Sequence, residues 1–368
     1  MDSKKYNNIK LSVSIGKGIL SFLIIFLFLK SGLALDLENY LSRFISNSYL
    51  LFIAFVIAVS AAGSILSFPV SYYQEFYLEH KFKLSNQTFG AWLWEGAKGT
   101  MVSGVIGIPL LPVFYYVLNR FGNLWWLPFA IILFLVSVVL ARIVPVLIMP
   151  LFYKITPLEN EELKLRLEKL ASEAGLKLKN VFKFDMSKNT RKANAAFTGM
   201  GKSKRILLGD NLLDRYSADE IETVIAHELG HYKYKHIIIN IIVGTVFSFL
   251  TLYLLALLYR ISLPYFGYFS ITQVSAVPIL VLWGMVLGIV ETPITSSLSR
   301  KHEYQADQYA VSSTGKADAF ISTLEKLNEQ NLGDKEPHPV VEWFFYSHPS
   351  IKKRIAAIRR VVQPEALK

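Results

Sequence analysis

The sequence predicts a mainly α-helical, polytopic membrane protein of about six transmembrane helices, with a small hydrophilic α+β unit on one side of the bilayer. Three observations predict it. Hydrophobic residues make up 52% of the 368-residue chain and charged residues only 18%, a balance shifted away from that of soluble domains. The apolar residues gather in long runs, and a membrane helix needs about 20 of them. One long hydrophilic block interrupts the runs and carries the capping and alternation patterns of folded structure.

Six runs are expected to cross the membrane: Gly18–Leu35, Tyr49–Val70, Met101–Leu118, Leu124–Met149, Ile237–Leu258 and Val274–Val290. Gly and Pro inside them are tolerated in membrane helices. The first run follows Lys4, Lys5 and Lys10 and ends at Gly32-Leu33-Ala34, so it reads as a signal anchor or as a cleavable signal. Four units follow: N-terminal spans in 1–150, the hydrophilic block in 151–236, a transmembrane hairpin in 237–298 and a C-terminal region in 299–368.

Charge orients the spans. The N-terminus, the block Tyr153–His236 and the tail from Arg300 are rich in Lys and Arg, whereas Asp36–Asn47, Asn119–Asn123 and Arg260–Gln273 each hold one basic residue. Six crossings put the three basic segments on one side, and the positive-inside rule makes that side the cytoplasm. The net charge of +11 is thereby explained by cytoplasmic loops beside anionic lipid, without nucleic acid as a partner. The absence of cysteine excludes disulfides, thiolate ligands and a cysteine nucleophile.

Within the block, Thr156-Pro157-Leu158-Glu159 is expected to be a capping box with Pro at the first helical position, opening an amphipathic helix that stops near Gly175. Asn180–Asp185 and Lys204–Leu208 have strand-like apolar patterning, and Asn194–Met200 is a third candidate strand. Ser217-Ala218-Asp219-Glu220 is a second capping box. The helix it opens carries Ile225-Ala226-His227-Glu228-Leu229-Gly230-His231. Residues four apart share a helix face, so His227 and His231 can point to one ion. Zinc accepts imidazole nitrogen at about 2.0–2.1 Å. Glu228 is placed to reach a water beside the ion and to act on it as general base.

Two histidines leave a catalytic zinc one protein ligand short. A third histidine six residues beyond His231 is ruled out because that position is Ile237. His236 is one residue early; on a continuing helix it is turned away and reads as a polar residue near the membrane interface. The last two spans form a hairpin that returns the chain beside its exit point, and the sequence there is Ser299-Arg300-Lys301-His302-Glu303-Tyr304-Gln305-Ala306-Asp307. Glu303 is expected to complete a His₂Glu site. Asp307, four residues on, can accept a hydrogen bond from a ligand imidazole.

With these residues in view, the chain resembles the type I CAAX prenyl proteases, integral-membrane zinc peptidases of the gluzincin kind. The resemblance runs from about Pro69 to Ile358. It includes Glu79-His80-Lys81-Phe82 with Asn86-Gln87-Thr88, Pro150-Leu151-Phe152 with Thr156-Pro157-Leu158, Asn194-Ala195-Ala196-Phe197-Thr198-Gly199, Ser299-Arg300, and Tyr346-Ser347-His348-Pro349 with Arg354. It implies one Zn2+ per chain held by His227, His231 and Glu303, Asp307 behind a ligand, and His348 and Arg354 lining the active site. It also implies that Asn194, Ala195, Ala196 and Phe197 pair with substrate backbone, and that helices enclose an intramembrane chamber. Eukaryotic members have seven spans; six are expected in this chain, with the first of the seven not among them.

Read as residues alone, Asn194–Phe197 is either a core strand or an edge to which substrate adds. His348 is either a loop residue or an oxyanion donor. Arg354 is either a clamp for a substrate carboxylate or one of a basic cluster with Lys352 and Lys353. Arg142 and Glu291 either face water within the membrane or snorkel from helix ends. The expected function is zinc metalloendopeptidase action on a peptide or protein substrate, C-terminally prenylated, within a lipid bilayer. The alternatives are a quality-control metalloprotease acting on misfolded or membrane polypeptides, and a non-catalytic channel or scaffold with a structural metal. The expected location is the plasma membrane in a prokaryote or the endoplasmic reticulum in a eukaryote, with both termini cytoplasmic.

Overall fold

The computed structural model describes residues 2–176, 180–198 and 205–362. Six helical runs there are long and apolar enough to span a membrane: Ser3–Lys30, Ser48–Lys81, Phe89–Leu124, Trp126–Phe152, His236–Ser262 and Val274–Thr314. Each expected run overlaps one of them, although the first run's end, Leu33–Leu35, belongs to the separate helix Leu33–Ser42, and most helices are longer than their apolar segments. The first stops at Lys30 because Gly32 takes a φ of +82°, a conformation open mainly to glycine. The third breaks between Phe89–Gly107 and Leu110–Phe121 beside Pro109, which cannot donate to the helix ladder.

The spans pack tightly at one end. Leu29, Phe52, Leu118, Trp125, Tyr259 and Val274, which lie where successive spans end or begin, share one buried cluster. Mid-span residues such as Ile65, Met101, Val105, Leu135, Val139 and Leu147 stay exposed, left to lipid or to space between helices. Inside the membrane region, Thr251 donates to the Glu291 carboxylate of the neighbouring span. Glu291 therefore has a partner across the hairpin and is not a residue reaching for a helix end. Arg142 is exposed.

The other end carries the α+β block. Its four strands are β1 (Ile155–Pro157), β2 (Asn180–Phe184), β3 (Ala195–Thr198) and β4 (Arg205–Gly209), in the order β1-β2-β4-β3. β2 and β4 are parallel, β1 is antiparallel to β2, and β3 is antiparallel to β4. The three expected strands are present; Gly199, Met200 and Lys204 lie outside the described residues.

The first expected capping box is not one. Thr156 and Pro157 belong to β1, and the helix opens at Glu161, where the Asn160 side chain accepts from the Leu163 amide. Pro157 is tolerated because β1 is an edge strand. Leu163, Leu167, Leu170 and Ala171 form the buried face of that helix. It ends at Glu173, two residues before Gly175 with φ +77°. These side chains pack with Ile206 and Leu208 of β4 and with Ile221, Val224, Ile225 and Leu229 of the helix Ala218–Lys233, hereafter the motif helix.

The second capping box forms in full: Ser217 Oγ accepts from the Glu220 amide and the Glu220 carboxylate accepts from the Ser217 amide. The last span does not end at the membrane. Pro278–Thr314 is one helix of 37 residues, about 55 Å long against a hydrocarbon core of about 30 Å. This long helix carries Glu303 and Asp307 out of the bilayer and lays them along the motif helix.

Candidate metal centre

Two helices build the centre, and a glycine sets their spacing. A Cβ on Gly230 of the motif helix would lie 2.8 Å from Ala306 Cα and 3.2 Å from Tyr309 Cβ. With only hydrogen there, the backbones approach closely enough for short side chains to meet.

They do meet. His227 Nε2 and His231 Nε2 are 3.2 Å apart. His227 Nε2 lies 3.5 Å from Glu303 Oε2, and His231 Nε2 lies 3.3 Å from Glu303 Oε1. Ligand atoms about 2.0–2.1 Å from a tetrahedral zinc are about 3.3–3.4 Å apart, so the triangle has the right size. The protons also point to a cation. Two neutral imidazole nitrogens aimed at each other share at most one hydrogen. Glu303 Oε2 is buried with His348 Nδ1 at 2.8 Å and an Arg354 nitrogen at 3.4 Å, yet no aligned hydrogen bond reaches it. These three residues form the one group in the described chain with metal-ligand geometry, and their donor set fits zinc.

The ligands are backed from behind. His227 Nδ1 is 2.9 Å from Asp307 Oδ1, at an angle that leaves the hydrogen bond unformed here. Asp307 is held by Arg354, whose Nε and one terminal nitrogen bond its two oxygens at 2.8 and 2.5 Å. Arg354 is buried with its fork engaged on this carboxylate. It is not part of a solvated basic cluster, and it also lines the cavity in front of the site.

A cavity of about 170 Å3 opens in front, lined by Asn194, Ala195, His227, Glu228, Glu303, His348 and Arg354 among others. Burial pushes the Glu228 carboxyl above its ordinary range, against the opposing pull of His227 and His231. β3 borders the cavity as an edge of the sheet. Ala196 and Phe197 continue along the strand, where the Phe197 ring meets Tyr232 with centroids 6.0 Å apart. His348 follows the short helix Pro339–Phe345. That helix is fixed by Arg300, which donates to the Glu342 and Tyr346 carbonyls at 3.1 and 2.7 Å.

Sequence reasoning misplaced His236 and passed over Gln305 and Arg300. His236 opens the candidate span His236–Ser262, but it is not turned away from His231. It is 1% exposed, with Nδ1 3.0 Å from His231 Nδ1 and Nε2 2.9 Å from Gln305 Oε1. The motif helix stops at Lys233, and Lys235 takes a φ of +58°. That turn swings His236 back onto the face from which a continuing helix would have carried it away. Arg300 could have been noticed as the basic residue of the Ser299-Arg300 pair one turn before Glu303.

Comparison with known proteins agrees with this geometry. Residues 157–362 match peptidase family M48, and residues 1–154 match the family described as CAAX prenyl protease N-terminal, five membrane helices. Among the described residues, the second of these regions contains four candidate spans. The chain is 34% identical to CAAX prenyl protease 1 of Saccharomyces cerevisiae, over 83% of this chain and 71% of that protein. It is 30% identical to the uncharacterized metalloprotease YhfN of Bacillus subtilis, over 96% and 84%. The crystal structure of S. mikatae Ste24p superposes with a TM-score of 0.87 at 31% identity, covering 97% of this chain and 88% of that one. The chain belongs to peptidase family M48, as a zinc-dependent metalloprotease built into a membrane.

Proposed function

We propose that this metalloprotease cleaves near the C-terminus of prenylated Cys-a-a-X polypeptides, on the cytoplasmic side of its membrane. The observation that supports the chemistry is the convergence of His227, His231 and Glu303 at a cavity that Glu228 also lines. The likeness to CAAX prenyl protease 1 supports the substrate class. The excess of Lys and Arg on the catalytic side supports the orientation, with the catalytic regions 151–236 and 299–368 joined by the hairpin 237–298 and preceded by the spans of 1–150.

In this reading His227, His231 and Glu303 hold zinc, and Asp307 orients His227. When bound, zinc supplies Lewis-acid polarisation of a water and of the scissile carbonyl. Glu228 takes a proton from the attacking water onto its carboxylate and hands it to the leaving amine, with no covalent intermediate on the protein. Its raised basicity suits both transfers. His348 donates to the oxygen on which negative charge develops. The backbone of Asn194–Phe197 adds an extended substrate strand at the sheet edge. Arg354 holds Asp307 and faces Glu303, keeping two buried carboxylates ionised beside the ion.

A second reading, a quality-control metalloprotease acting on misfolded or membrane polypeptides, rests on the likeness to YhfN, whose name carries no prenyl substrate. One experiment separates the two. The purified protein is assayed on a farnesylated Cys-a-a-X peptide, its unmodified counterpart and an unfolded polypeptide. Preference for the lipidated peptide supports the proposal; equal or better cleavage of the other substrates removes it.

A further inference from the structure

His236 has no part in the chemistry above, yet it is buried against a metal-ligand histidine. The proton inventory around it has a single solution. With His231 Nε2 facing the ion, the ring's other nitrogen, Nδ1, must carry the proton. Its neighbour at 3.0 Å is His236 Nδ1, which must then accept. A neutral His236 consequently bears its proton on Nε2, and that atom lies 2.9 Å from Gln305 Oε1, an acceptor. Each donor finds an acceptor, and no group along the row needs to be charged.

The surroundings fix the ring of His236. His302 stacks on it with centroids 3.9 Å apart and planes 9° from parallel. His302 and Gln305 are three residues apart on the long helix, so they are neighbours on one face. That face is turned away from Glu303 and Asp307, and His236 reaches it only through the turn at Lys235. The long helix therefore backs both imidazoles: Asp307 stands behind His227 Nδ1, and Gln305, through His236, stands behind His231 Nδ1.

We propose that His236, held by Gln305 and His302, is a positioning residue for the metal centre: it accepts the Nδ1 proton of His231, fixing the tautomer and ring orientation that aim His231 Nε2 at the ion. The inference rests on His231 being a zinc ligand. Groups that orient a metal-bound histidine in this way are worth about 10–100-fold in metal affinity.

The test uses the full-length protein in detergent, with zinc affinity measured by competition with a chromophoric chelator. Melting of the zinc-free protein is followed in parallel. His236→Phe keeps a flat ring against His302 and removes the acceptor. His236→Asn places an oxygen where Nδ1 stood, and Gln305→Leu cuts only the far hydrogen bond. The expected result is a loss of about 10–100-fold in zinc affinity for the Phe variant, recovery of most of that loss in the Asn variant, and zinc-free melting changed little. Gln305→Leu is expected to weaken zinc several-fold. Parental affinity in His236→Phe overturns the inference, as does an equal loss in the Phe and Asn variants. If the Phe variant does not fold, Gln305→Leu decides, and parental affinity there also overturns it. Failure of the unmutated protein to bind zinc overturns the metal-centre reading itself, which is a different outcome.

Discussion

Gly230→Ala tests whether helix proximity builds the metal centre. The added Cβ would sit 2.8 Å from Ala306 Cα, 3.1 Å from Ala306 O and 3.2 Å from Tyr309 Cβ. Carbon atoms in comfortable contact are about 3.5–4.0 Å apart, so the helices must separate by roughly 1 Å or tilt. Two of the three clashing atoms are backbone, which cannot rotate aside. Overpacking of this kind costs about 1–3 kcal/mol, and alanine returns up to about 1 kcal/mol through its better helix propensity. The net stability loss is therefore small, about 0–2 kcal/mol. The site loses more, because the imidazole nitrogens and the Glu303 oxygens sit only 3.3–3.5 Å apart across the moving interface. A displacement of about 1 Å costs on the order of 100-fold in catalysis. Thermal melting, zinc competition and peptidase rate are measured on the same preparation. The expected pattern is modest destabilisation with weakened zinc binding and a rate about 100-fold lower. Parental zinc affinity and rate in a folded Gly230→Ala protein would refute the reasoning.

Three further outcomes are expected. Glu303→Ala removes one corner of the triangle, and metal analysis should find the purified variant depleted of zinc while the parent holds one per chain. Arg300→Ala removes the donor that holds the Glu342 and Tyr346 carbonyls and so frees the segment bearing His348; kcat should fall, by up to about 100-fold, with zinc content unchanged. Asp219 and Glu222 answer to pH. Hydrogen bonds from Lys316 and Arg166 hold the Asp219 carboxyl below its usual range. At Glu222 burial opposes ionisation, but the same two cations outweigh it and its carboxyl is also held low. Depressed carboxyls stabilise the fold fully above the unfolded value of about 4 and lose that contribution as pH falls through the lower folded value. Glu222→Gln should therefore flatten the loss of stability below about pH 4, read by melting across that range.

What could be read from the sequence was local in origin. The motif helix was legible because Ser217 and Glu220 satisfy each other's amides within one turn, and because His227 and His231 share a face by helical period alone. Glu303 was legible through topology, since a hairpin of two spans returns the chain to its exit. Four features escaped, each for a physical reason. His236 was hidden because helical periodicity carries through the position where Lys235 breaks the helix with a positive φ, and no composition rule forces lysine into that conformation. Thr156-Pro157-Leu158-Glu159 carried a helix-start pattern, but pairing of Ile155–Pro157 with β2 prevailed and Asn160 took the cap. The length of the long helix was missed because hydropathy marks where a helix leaves lipid rather than where it ends. The role of Arg354 was hidden for a related reason: its partner Asp307 is 47 residues away in the chain.

The most direct test is anomalous diffraction at the zinc absorption edge from crystals of the unmutated protein. The account predicts one peak, about 2.0–2.1 Å from His227 Nε2, His231 Nε2 and a Glu303 oxygen. A peak elsewhere, or a zinc-replete protein whose ion leaves Glu303 outside its coordination, would contradict it.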